Sequence, residues 1–182
     1  MLESNKKLAS QKINEKMNEN VEVLKNLDFI SRAKKIKKIL FSSDYFDENR
    51  VEVALELAKR FEAVYGRECA VVDLGESNYM TDLNVEYQNA REFEWLLSGD
   101  ELNDRKLDTH LRNLEERYAL TFVIQDVKRN AKTTSLPEVE VDGAIVIRSD
   151  RSVGPRKSRH VTNMLKDANI PVLGMIYNRS RV

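Results

Sequence analysis

The sequence predicts a three-layer α/β fold, an open and mostly parallel sheet of five strands with helices on both faces, and three observations carry it. Five short apolar runs, Ile36–Ser42, Cys69–Leu74, Leu120–Asp126, Gly143–Arg148 and Val172–Tyr177, are nearly uninterrupted, as strands covered on both faces require. Stretches of helical periodicity separate most of them, and a parallel sheet needs such crossovers. The chain has 182 residues, one domain's worth, and a domain of this size buries roughly 70% of its unfolded surface.

Each element follows from local pattern. Residues 5–28 read as an amphipathic helix, with Ile13, Met17, Val21 and Leu24 stepping by three and four and Asp28 narrowing the stripe. The first strand is entered from a lysine cluster. Glu48–Tyr65 is a helix with Val51, Ala54, Leu55, Ala58, Phe61 and Tyr65 on one face and Gly66 as its stop. Residues 76–84 read as a loop, and a helix is expected over Gln88–Leu97, ending at Ser98-Gly99-Asp100. Another spans 105–118, its buried stripe Leu107, Leu111, Leu114 and Tyr118. The last helix, Pro155–Ala168, has Pro155 at its first position and Val161, Met164, Leu165 and Ala168 inward. Residues 1–28 thus form an appended helix, and residues 29–182 a single α/β domain.

Composition narrows the class. Hydrophobic residues make up 41% and charged residues 33%, the balance of a polar globular protein. No run approaches ~18 apolar residues, so no membrane span is expected. The first residues lack the apolar centre of a signal peptide, which leads to a cytoplasmic expectation. Cys69 is the only cysteine, so no internal disulfide forms, and with His110 and His160 far apart no metal site is expected. Cys69 is expected in the core, the histidines at the surface or its boundary, and Phe93 and Trp95 in core or interface packing.

The formal net charge of zero hides a segregation. Residues 1–43 hold 10 Lys+Arg against 5 Asp+Glu, residues 44–104 hold 5 against 16, residues 105–147 hold 7 of each, and residues 148–182 hold 8 against 2. An acidic middle between basic ends does not suggest nucleic-acid binding. Arg156, Lys157 and Arg159 fall in the first turn of the expected last helix, where cations oppose the helix dipole by ~0.3–1 kcal/mol each. Together with Arg148 and Arg151 they form a candidate patch for an acidic partner.

Open parallel sheets bind ligands at the carboxyl ends of their strands. The residues there are Ser42-Ser43-Asp44, Asp73, Asp126, Arg148 and Asn178. The order of segments resembles the cytoplasmic ATPase domain of bacterial tyrosine kinases of capsule and exopolysaccharide assembly, within the deviant-Walker P-loop group that includes Min-type and Par-type proteins. The resemblance covers roughly residues 20–179. IKKILFSS looks like the strand feeding the P-loop, VALELAKRFEAVYGRECAVVDLG like the helix and strand of the second Walker-type motif, FVIQD like the Walker B strand. DGAIVIRSDRSVGPRKSRHVTNMLKDANIPVLGMIYNR follows the strand–helix–strand ending of the group.

The chemistry that the resemblance would imply is eroded. A P-loop needs glycines so that backbone N–H groups converge on phosphate, a lysine for the β/γ-phosphates and a Ser/Thr for Mg²⁺. The matching stretch, Ser42 to Glu52, has no glycine, and the first glycine of the chain is Gly66. Asn49, Arg50 and Val51 stand at the Gly-Lys-Ser/Thr positions, and after Ser43 the loop carries Asp44, Asp47 and Glu48 where a triphosphate would lie. Arg50 can imitate only the lysine's charge. In the second motif Asp73 matches the first aspartate and Gly75 replaces the second, while Asp126 matches the Walker B aspartate. The ring-forming motif of the resembled kinases, Glu-x-x-Arg-x-x-Arg, appears only as Glu22, Lys25 and Asp28, and no cluster of tyrosines like their phosphorylated tail stands in Tyr177–Val182. The expectation is a non-catalytic relative, without a cofactor, that binds a protein partner, a membrane polysaccharide co-polymerase or a copy of itself. Two alternatives stand beside it: an ATP-dependent tyrosine kinase or ATPase using ATP and magnesium through an altered loop, and a Par/Min-like positioning protein.

Overall fold

The computed structural model describes residues 22–33, 35–43, 50–74, 85–89, 104–125, 128–130, 133–135, 140–149 and 160–178. The chain divides into two compact units, Met1–Lys35 and Ile36–Val182. In the first, α1 (22–33) is helical beyond the expected end at residue 28, and residues 5–21 of the expected helix lie outside the described residues. An Arg32–Asp28 pair at 2.9 Å and a bond from Ser31 Oγ to the Asp28 carbonyl brace its last turns.

The second unit runs β1 (Lys38–Ser43), α2 (Arg50–Tyr65), β2 (Cys69–Asp73), β3 (Glu86–Asn89), α3 (Asp104–Arg117), β4 (Leu120–Ile124), β5 (Lys128–Asn130), β6 (Thr133–Ser135), β7 (Gly143–Ser149), α4 (His160–Asp167) and β8 (Val172–Asn178). Six strands form one sheet in the order β3-β2-β4-β1-β7-β8, and every pairing in it is parallel. The five apolar runs became five of these strands. The sixth, β3, is a correction, because Gln88 and Asn89 were expected to open a helix. Its polar Glu-Tyr-Gln-Asn sequence shows no strand pattern, and the open edge of β2 draws it in, pairing Ala70 with Glu86 and Asp73 with Asn89. The antiparallel β5–β6 hairpin also lacks an apolar signal.

Alternation along the strands separates two faces. Leu40, Ala70, Val72, Val123, Ala144 and Val146 pack with Leu107, Leu111 and Leu114 of α3 and Val161 and Leu165 of α4. The intervening Ile39, Phe41, Val71, Phe122, Ile124, Ile145 and Ile147 are also buried, on the side where α2 presents Val51, Ala54, Leu55, Leu57, Ala58 and Phe61. The result is helix, sheet, helix. Ala168 departs from expectation and is exposed, because α4 stops at Asp167 and the chain turns through Asn169 at φ +57°. Residues 155–159 of that expected helix lie outside the described residues.

Two chain turns set the sheet's amino-terminal edge. Gly66 ends α2 at φ +61°, its N–H bonded to the Glu62 carbonyl at 2.7 Å, a left-handed conformation that suits glycine. Asp142, just before β7, accepts the backbone N–H groups of Lys37 and Lys38 at 2.7 and 2.8 Å through one carboxylate oxygen. The Lys38 side chain is buried and pairs with Glu115 of α3 at 2.8 Å. The lysine cluster that seemed to precede the first strand therefore lies partly within it.

Candidate functional site

β1 lies between β4 and β7, and its crossover through α2 leads to β2 on one side, while β7 continues through α4 to β8 on the other. Adjacent strands whose connections leave in opposite directions open a crevice at their carboxyl ends. Ser43 ends β1 there, paired in register with Ile147 of β7. Arg50, the first residue of α2, donates from Nη1 to Ser43 Oγ at 2.9 Å. The guanidinium is thus held at the base of the crevice by the strand that enters it.

Asp73 ends β2 on the same face of the sheet, with Ile124 of β4 beside it and Phe41 of β1 beyond. Two strand spacings of about 4.8 Å each therefore separate the β1 and β2 positions. Asp73 is 1% exposed, and Tyr87 of β3 donates its hydroxyl to Asp73 Oδ2 at 3.3 Å. A buried carboxylate needs such donors to offset lost hydration. Tyr87 is a partner that sequence reasoning missed, because the strand bearing it has no apolar pattern.

Arg148 sits on the opposite face, in line with Val146, so the sheet itself separates it from Ser43, Arg50 and Asp73. Asp44, Asp47, Glu48, Asn49, Asp126, Arg151, Arg156, Lys157 and Arg159 lie outside the described residues. The described residues thus bring Ser43 and Arg50 together and place Asp73 two strands away on their side.

Beneath the crevice, on the Arg148 side, Ser42 Oγ and Gln125 Oε1 are buried without a protein hydrogen-bond partner among the described residues. Gln125 lies next to β1, its N–H bonded to the Phe41 carbonyl at 3.3 Å. Both groups can bond a water or a polar ligand atom entering from the carboxyl edge. Ser42 was legible as a strand end. Gln125 carried no signal beyond preceding Asp126.

Elsewhere, burial pushes the Cys69 thiol up to about 12, helped by the Glu62 carboxylate and opposed by Arg67. Such a thiol packs and does not react. His110 is half-buried, its Nε2 2.7 Å from Gln88 Oε1 of β3, a boundary position as expected. Among the described residues no group of three His, Cys, Asp or Glu side chains could hold a metal ion, and no helix is long and apolar enough to cross a membrane.

A parallel sheet of this order, with β1 leading into α2 at its centre and a carboxylate at the tip of β2, is the fold of P-loop NTPases. Solved structures of that class share it. The kinase domain of the Escherichia coli tyrosine kinase ETK superposes with a TM-score of 0.60 at 15% identity, covering 84% of this chain and 73% of that one. The VpsO kinase domain gives 0.58 at 14% identity, over 93% of this chain and 99% of that one. A ParA family ATPase from Chlorobium tepidum gives 0.52 at 10% identity, over 80% and 74%. At such identities the likeness establishes the fold. No protein-family model matches the chain. No curated protein matches its sequence either.

Proposed function

We infer that this chain is a non-catalytic relative of the exopolysaccharide tyrosine-kinase domain, a binding or regulatory module in bacterial polysaccharide synthesis or export. Its partner is a protein, a membrane polysaccharide co-polymerase or a second copy. Support for the class comes from the shared fold with the ETK and VpsO kinase domains. Support for inactivity comes from one observation above all. Between β1 and α2 the chain has no glycine to turn backbone N–H groups onto phosphate, and it carries Asp44, Asp47 and Glu48 there. Like charges a few ångströms from a triphosphate cost on the order of 1–4 kcal/mol each. Arg50, the cation nearest the lysine position, is already bonded to Ser43.

Thermal unfolding with nucleotide tests this reading. A ligand that binds only the folded state stabilises it by RT ln(1 + [L]/Kd), or ~2.7 kcal/mol when ligand is at about a hundred times Kd. In a chain of this size that raises the midpoint by roughly 5–10 °C. The expected shift with ATP, ADP or GTP and magnesium is under about 1 °C, unchanged by Asp126→Asn. A magnesium-dependent shift that Asp126→Asn abolishes would overturn the non-catalytic reading and favour an ATP-dependent kinase or ATPase.

A further inference from the structure

β3 is held differently from the strands beside it. β1, β2 and β4 are buried at every residue, whereas Glu86, Tyr87 and Gln88 are half-buried and none belongs to the core. The nearest apolar anchor, Val85, precedes the strand. What fastens β3 to its surroundings, beyond its backbone pairing with β2, is a set of side-chain hydrogen bonds on both faces of the sheet. Glu86 and Gln88, in register with Ala70 and Val72, share the face that α3 covers. There Glu86 accepts from the Tyr118 hydroxyl and from Arg117 Nη2 at 3.3 Å, and Gln88 Oε1 lies 2.7 Å from His110 Nε2. On the other face Tyr87, in register with Val71, donates to Asp73 at 3.3 Å. Such bonds exchange for bonds to water at small net cost, which buried apolar contacts do not. A short strand held this way belongs to the low end of local stability, where segments open while the core stays folded.

We propose that β3 is a strap that opens as a unit while the rest of the sheet stays folded, and that its opening releases the buried Asp73 carboxylate at the crevice. Tyr87 is the link. In the closed strand its hydroxyl sits on Asp73 Oδ2, and in the open one that oxygen is left to a donor or cation entering at the carboxyl end of β2. Coupling of this kind runs both ways. A group that bonds Asp73 competes with Tyr87 and loosens β3, and loosening Glu86 or Gln88 at α3 releases Asp73 on the far face of the sheet. α3 thereby communicates with the crevice through one four-residue strand. The device needs no nucleotide, so it stands apart from the non-catalytic reading.

Two measurements on the full chain, both read by mass spectrometry in urea up to the foot of the unfolding transition, test the strap: amide hydrogen exchange and carbodiimide labelling of carboxylates. Local opening exposes little surface, so it responds weakly to urea, whereas global unfolding responds steeply. The protected amides of β3 are expected to exchange at least about tenfold faster than those of β1 and β4, with little urea dependence. Labelling of Asp73 should follow β3 in both respects. Tyr118→Phe, which removes a donor on the α3 face, should speed β3 exchange and Asp73 labelling by the same factor, about five- to thirtyfold. Tyr87→Phe should speed β3 exchange to a similar extent. The proposal is overturned if β3 amides show no protection, or exchange with the urea dependence of β1 and β4. It is equally overturned if β3 opens locally while Asp73 labelling follows β4, or if β3 exchange is unmoved by both substitutions.

Discussion

At the residue scale, the carboxylate of Asp142 does more than its place in a short turn suggests. One oxygen accepts two consecutive N–H groups, those of Lys37 and Lys38, and so fixes where the central strand begins. Asp142→Ala leaves both donors without that acceptor, and hydrogen bonds to a charged group are worth ~1.5–3 kcal/mol. Allowing for water reaching Lys37, a loss of about 2 kcal/mol is expected, read as a midpoint lowered by roughly 4–8 °C. Asp142→Asn, which keeps an acceptor oxygen, should lose less than half of that.

His110 offers a second test at this scale. Burial pushes its imidazole below the usual 6.5, Arg117 adds to the effect and the Glu86 carboxylate opposes it. The unfolded chain then takes up the proton at a higher pH than the folded one, so stability falls as pH drops through the window just below 6.5. His110→Gln removes that slope. Chemical denaturation at pH 7.5 and 5.5 should show a smaller acid-side loss in the variant than in the parent chain, and equal losses would contradict the assignment.

At the scale of elements, the apolar strands and amphipathic helices were legible because burial on two faces or one leaves a periodic trace. What stayed hidden was held by tertiary contacts. β3 is kept by polar side chains: Tyr118 donates to Glu86, Arg117 reaches the same carboxylate at 3.3 Å, and His110 meets Gln88. No period marks such a set. Likewise Arg50 could be read as a lysine surrogate from its position, but its bond to Ser43 depends on where the start of α2 sits against the end of β1. Asp73 was legible as a strand end, whereas its donor Tyr87 came with the unforeseen strand.

The β7–β8 contact makes an element-scale prediction. A Cβ at Gly143 would stand 2.7 Å from Cγ and Cδ1 of Leu173, so the two strands approach only because Gly143 lacks one. Gly143→Ala should cost ~1–3 kcal/mol, the usual range for overpacking. Truncating the neighbour in the same chain should recover most of this loss. A double-mutant cycle of Gly143→Ala with Leu173→Ala therefore gives a favourable coupling, and strict additivity would remove the steric explanation.

For the whole molecule, equal numbers of cations and anions place the isoelectric point near 6.8. Solubility should pass through a minimum close to that pH and rise on either side, as precipitation titrations from pH 5.5 to 8.5 would show. A flat profile would mean that exposed apolar surface, and not charge, limits solubility. The fold was readable at this scale because five buried strands and their crossovers allow few topologies. The function is less so, since one fold hosts many chemistries.

The central position of β1 has a consequence for how the chain is made. Its two neighbours come from far downstream: Lys38 pairs with Thr121, and Ser43 with Ile147. During synthesis at ~5–20 residues per second, the six buried residues of β1 wait roughly 5–20 seconds before both neighbours exist. Until β4 emerges the strand is an apolar segment with both edges open, and loop closure over such distances is slow. A nascent chain halted before β4 would therefore hold an apolar strand with two open edges, and a ribosome-bound chaperone would find its binding site at Lys38–Ser43.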